Sequence, residues 1–131
     1  MERLIYTSLK EWKDSPNRKP LILQGARQVG KTYILKEFGK REYANVVYIN
    51  CDDNDDMKDM FADYDIKRII RSLSAISGIS IMPSSTLIIL DEIQEINRGL
   101  SSLKYFCEKA PEYHVAVAGS LLGITLHEGT S

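Results

Sequence analysis

Gly25-Ala26-Arg27-Gln28-Val29-Gly30-Lys31-Thr32 matches the Walker A pattern G-x-x-x-x-G-K-[ST] without a mismatch. The pattern implies a loop whose backbone N–H groups converge on phosphate oxygens, with a Lys and a hydroxyl completing the cage. The flanking residues supply the order such a loop requires. Lys19-Pro20 leads into Leu21-Ile22-Leu23, a short apolar run of the kind found in parallel strands covered on both faces. After the loop, Tyr33, Ile34, Leu35 and Phe38 recur at helical spacing, and Gly39 reads as the stop of that helix. Gly25 and Gly30 allow backbone angles and a close approach that a Cβ would forbid. Successive N–H groups and the positive end of the helix dipole then face the phosphates. Lys31 is expected to reach the β- and γ-phosphates, and the Thr32 hydroxyl to ligate Mg²⁺. The bland alternative, a Gly-rich turn with an exposed Lys, is disfavoured by the complete motif in this context.

Working outward, strands and helices alternate. Leu4, Ile5, Leu9 and Trp12 share one face of a first helix ending near Asp14-Ser15-Pro16. A second strand is expected at Asn45–Asn50, where Val46, Val47, Tyr48 and Ile49 form a β-prone run. Beyond an acidic loop at Cys51–Asp56, one long helix is expected, with Met57, Met60, Phe61, Tyr64, Ile69, Ile70 and Leu73 as its apolar stripe. Ser77-Gly78 and Met82-Pro83-Ser84-Ser85 break the chain before a third strand at Thr86–Leu90. Leu100, Leu103, Phe106 and Cys107 then mark a helix that stops near Pro111, followed by a fourth strand at His114–Ala118. This alternation indicates an α/β fold of three layers around a parallel sheet.

A second chemical site ends the third strand. Thr86-Leu87-Ile88-Ile89-Leu90-Asp91-Glu92 is an apolar strand closing on two carboxylates, the form of a Walker B motif. An Asp there holds the Mg²⁺ shell beside the γ-phosphate. Glu92 then has a separate task, to orient the attacking water and take its proton. Ligands in open α/β sheets bind beyond the carboxyl ends of the strands, where both Gly25 and Asp91 fall. The fourth strand also ends on a polar residue, in Ala118-Gly119-Ser120. Ser120 is read either as a contact to the γ-phosphate or lytic water, or as part of a Gly-Ser turn.

Composition narrows the class. At 131 residues the chain suits one domain, and a net charge of −1 without a long basic tract gives no support for nucleic-acid binding. Cys51 and Cys107 lie far apart without metal-ligand spacing, as expected of reduced thiols in the cytoplasm. No signal peptide is evident, and the longest purely apolar run, Leu87–Leu90, cannot span a bilayer.

Gly25–Thr32, Asp91-Glu92-Ile93-Gln94 and Ala118-Gly119-Ser120 together resemble the prokaryotic AAA+-type ATPases of poorly characterised function. Arg27-Gln28 within Walker A and the Asp-Glu-Ile-Gln form of Walker B are fairly specific to that group. The resemblance implies a P-loop NTPase sandwich with strand order 5-1-4-3-2, ATP as nucleotide with Mg²⁺, and a sensor-1 role for Ser120. It implies a cofactor-binding set of Gly25, Ala26, Arg27, Gln28, Val29, Gly30, Lys31, Thr32 and Tyr33. Thr32 and Asp91 are then the metal residues, and Glu92, Lys31 and Ser120 the catalytic ones. On this reading residues 1–131 are the N-terminal part of an AAA+ ATPase domain, with a first helix at 2–14 and the P-loop core at 19–131. The fifth strand, arginine-finger region, helical lid and C-terminal domain have no counterpart in the sequence. Homo-oligomers are expected, and a protein or DNA partner stays open.

Two other functions compete. A nucleotide-dependent switch with little hydrolysis would need the same loop but no arginine finger. A small-molecule or nucleotide kinase would need a phosphoacceptor site and an Arg-rich lid, neither of which is visible. Asp52-Asp53-Asn54-Asp55-Asp56 begins like a Ca²⁺ loop, but position six is Met57 and position twelve Asp63, so it reads as a solvated acidic loop. His114 and His127 have no partner pattern and read as structural or exposed. Arg98 reads as a surface or capping residue, and Trp12 as core.

Overall fold

A computed structural model describes residues 2–16, 18–24, 29–51, 65–93 and 99–119 of the chain. Helix α1 runs Glu2–Asp14, strand β1 Leu21–Gln24, α2 Val29–Glu42 and β2 Asn45–Asn50. These are followed by α3 Ile66–Ser77, β3 Thr86–Asp91, α4 Gly99–Lys109 and β4 His114–Gly119. The strands form one parallel sheet in the order β1-β4-β3-β2. The three-layer α/β class expected from the alternation is therefore present, and β4 lies between β1 and β3 as the 1-4-3-2 part of the order requires.

Strand alternation sorts the core into two layers. Leu87 and Ile89 of β3 and Ala116 and Ala118 of β4 pack with Leu9 of α1 and Leu35 and Phe38 of α2. Ile88 and Leu90 of β3 and Val115 and Val117 of β4 pack on the opposite side with Ile69, Ile70 and Leu73 of α3 and Leu103 and Phe106 of α4. Residues 87–90 are buried on both faces, which is why their sequence shows no polar alternation.

Two expectations need correction. Gly39 does not stop α2, which continues to Glu42. Its role is steric: a Cβ there would stand 2.5 Å from Val46 Cγ2 and 3.1 Å from Leu87 Cδ2. Absence of a side chain lets α2 lie close on β2 and β3. The long helix drawn through residues 57–73 is also interrupted. Asp65 has extended angles and its side chain accepts from the Arg68 N–H at 3.2 Å, an N-cap that starts α3 at Ile66. Met57, Met60, Phe61 and Tyr64 lie outside the described residues. Gly78 does end a helix, in the left-handed region at φ 73°, with its N–H bonded to Ser74 O.

At the amino end of the sheet, α1 is tied down by polar contacts. The Tyr6 hydroxyl donates to Glu42 at 2.6 Å, and Trp12 Nε1 donates to Lys19 O at 2.6 Å. Trp12 and Tyr43 both meet the His114 ring edge-on. The Tyr43 hydroxyl lies 2.5 Å from His114 Nδ1. Burial pushes the Tyr43 hydroxyl's pKa well up, so the phenol keeps its proton, and the direction of its bond to His114 Nδ1 follows the ring tautomer. Burial first, then the charges of Arg18 and Lys13, lowers His114 from its ordinary 6.5 to about 4. Of the two alternatives the sequence left, structural or exposed, His114 is buried and structural.

Gly39→Ala sets helix propensity against packing. Propensity alone would stabilise α2 by roughly 1 kcal/mol, whereas overpacking against the stiff Val46 side chain costs roughly 1–3. We expect net destabilisation, largely reversed in Gly39→Ala/Val46→Ala, in urea unfolding. The His114 shift sets a pH dependence. Its folded-state value lies below the unfolded one, so its contribution is complete above pH 6.5 and is lost as pH falls toward 4. The slope should be at most about 1.4 kcal/mol per pH unit and should vanish in His114→Gln, as read from urea midpoints.

Candidate functional site

Among the described residues, the carboxyl ends of the strands bring together Thr32 and Asp91 from the two motifs the sequence singled out. Parallel register sets Gln24 opposite Gly119, Asp91 opposite Ala118, and Asn50 opposite Asp91. The end of β1, from which the Gly-rich stretch leaves, is therefore one strand removed from Asp91. Helix α2 begins at Val29, so Val29, Gly30, Lys31 and Thr32 form its first turn. Its N-terminal end carries the partial positive charge of the helix dipole.

Thr32 and Asp91, 59 positions apart, meet directly: Thr32 Oγ1 donates to Asp91 Oδ2 at 3.1 Å. This joins the hydroxyl of the first motif to the carboxylate of the second. Both side chains are part-buried. Among the described residues no cluster of three or more His, Cys, Asp or Glu assembles. The donor set is thus one hydroxyl and one carboxylate, which suits a hard cation completing its shell with water and ligand phosphates.

Glu92 is set apart from Asp91 by the backbone. Its φ is 56°, in the left-handed region that non-glycine residues seldom occupy, at a cost on the order of 1–3 kcal/mol. The conformation is held by the Glu92 N–H, which donates to Ala118 O of β4 at 2.7 Å. The chain thereby leaves the pleat of β3 immediately after Asp91. Both carboxylates act on a neighbouring thiol. Burial is the main cause that pushes the Cys51 pKa up to about 12, with the charges of Asp91 and Glu92 adding to it. Cys51 N–H also donates to Asp91 O at 2.8 Å, locking the end of β2 to that of β3. Cys51 is accordingly an inert, protonated thiol.

The remaining expected residues divide simply. Tyr33 is exposed, at 59%, and contributes nothing to the Thr32–Asp91 pair. Gly25, Ala26, Arg27, Gln28 and Ser120 lie outside the described residues, as do His127 and Arg98. One participant escaped the sequence reading. The Tyr48 hydroxyl of β2 donates to the same Asp91 Oδ2 at 2.7 Å, and Lys36 Nζ of α2 stands 3.9 Å from the Tyr48 ring centroid. The available signal was parity: Tyr48 shares its strand face with Val46, toward α2, two residues before β2 ends.

Fold and site together define a P-loop type α/β module. The family described as an AAA domain matches residues 17–131, and the chain belongs to that family. Among solved structures, the Orc1 protein of Aeropyrum pernix, in a complex with DNA, is similar with a TM-score of 0.52 and 16% identity. The match covers 91% of this chain and 37% of the Orc1 chain, and at that identity it is a likeness of fold. No curated protein matches the chain. No helix among the described residues is long and apolar enough to cross a membrane.

The left-handed angle at Glu92 predicts an order of stabilities. Glu92→Gly should be more stable than Glu92→Ala by about 1 kcal/mol, because Ala keeps the Cβ penalty that Gly removes. Paired urea denaturation curves measure the difference.

Proposed function

We propose that this chain is the ATP- and Mg²⁺-binding core of a cytoplasmic AAA+-type ATPase that hydrolyses ATP to drive a conformational change. The observation that carries the reading is the Thr32 Oγ1–Asp91 Oδ2 bond, because it joins two motifs recognised independently. Membership of the AAA domain family supports nucleotide as the ligand. In the proposal the Gly25–Gly30 backbone cradles the phosphates, Lys31 and Thr32 complete the cage, and Tyr33 borders the nucleotide. Thr32 and Asp91 would hold Mg²⁺, which when bound supplies charge neutralisation for the phosphates and the leaving group.

Glu92 orients the attacking water and takes its proton, and Ser120 senses the γ-phosphate from the end of β4. The dedicated carboxylate beside the metal residue favours water as acceptor over a second substrate. The fuller proposal includes an arginine supplied from a neighbouring subunit. A switch module that binds nucleotide and turns over little is the second reading. It would share every binding residue and differ in having no arginine finger.

A paired experiment tests the reading and separates the two. Lys31→Ala should weaken Mg-ATP binding in calorimetry by tenfold or more, the loss of a charge-assisted contact worth about 1.5–3 kcal/mol. Glu92→Gln should leave that affinity in place while slowing single-turnover hydrolysis by about 10²–10⁴-fold. Unchanged affinity in the Lys31 variant refutes the site, and unchanged turnover in the Glu92 variant refutes the base.

A further inference from the structure

Asp91 Oδ2 accepts two hydrogen bonds, from Thr32 Oγ1 at 3.1 Å and from the Tyr48 hydroxyl at 2.7 Å. The two donors come from different elements, one from the first turn of α2 and the other from β2, across a parallel register that aligns Tyr48 with Ile89. A carboxylate oxygen has two lone pairs, so this pair of donors uses the capacity of Oδ2 and fixes the rotation of the carboxylate. The other oxygen is then the one available to a metal-bound water.

We infer that Tyr48 is a positioning residue for the metal: its hydroxyl holds the Asp91 carboxylate in the orientation that receives Mg²⁺ together with nucleotide. This inference rests on the nucleotide-binding reading above. The contact is well suited to the role. A phenol hydroxyl on a carboxylate is a charge-assisted bond, shorter and stronger than a neutral one. Lys36 Nζ, 3.9 Å from the ring centroid, draws density from the ring and strengthens the O–H as a donor. Tyr48 itself is half-buried on a strand held on its inner edge by β3, so its ring has little freedom to swing. Thr32 alone could not do this, because its hydroxyl is also the expected metal ligand. The second donor fixes Asp91 independently of the metal.

The test is a titration of the chain with a fluorescent ATP analogue across a range of Mg²⁺ concentrations, and in EDTA. Tyr48→Phe keeps the ring and its contact with Lys36 but loses the hydroxyl; Tyr48→Leu loses both and serves as a second variant. Each should raise the half-saturating Mg²⁺ concentration by about three- to tenfold, with nucleotide affinity in EDTA unchanged. An unshifted Mg²⁺ requirement in either folded variant overturns the inference. Equal losses with and without Mg²⁺ also overturn it, because they would assign Tyr48 to packing alone. A wild-type chain that binds no nucleotide, or binds it equally with and without Mg²⁺, overturns the underlying reading and this inference with it. Thr32→Ala, measured alongside, calibrates the size of shift that loss of a metal residue produces.

Discussion

The site depends on how closely α2 lies against the sheet. Thr32 reaches Asp91 at 3.1 Å because the helix that carries it lies close on β2 and β3. Three small residues make that approach possible. Gly39 leaves room for Val46 and Leu87, and Ala116 and Ala118 of β4 present methyl groups where larger side chains would lift the helix. Packing in protein interiors is dense enough that a single added methylene is felt, so this clearance is a real constraint on the site. Leu35 and Phe38, fully buried, then fill the space beside it and fix the rotation of α2 about its axis.

The same constraint explains what could be read from the sequence. The apolar strand at 86–90 and the alternation of strands with helices were legible because each is a local signal with a local cause. The end of α2 was not. Gly39 stands where a terminating glycine is common, and only its tertiary neighbours show that it serves a close approach instead. The start of α3 was hidden for a related reason. Apolar residues upstream of Asp65 continue a plausible helical stripe, and the short-range bond from the Arg68 N–H to the Asp65 side chain overrides that periodicity. Tyr48 was invisible as a site residue because its partner lies on another strand, and cross-strand register is not written in either segment alone.

Two adjacent carboxylates acquire different surroundings from one backbone bend. Asp91 completes the pleat of β3 and faces the α2 layer, where hydroxyls from Thr32 and Tyr48 converge on it. Glu92 turns out of the strand at φ 56°, held by Ala118 O. Were the strand to continue unbroken, side-chain alternation would send the second carboxylate toward the α3–α4 layer, among apolar residues such as Leu90 and Val117. Burying a charge there without partners would cost several kcal/mol, far more than the strain of one left-handed residue. The strained angle is thus the cheaper way to keep a charged group at the carboxyl end of β3. It also separates a carboxylate anchored by two hydroxyl donors from one carried out of the strand on a bent backbone.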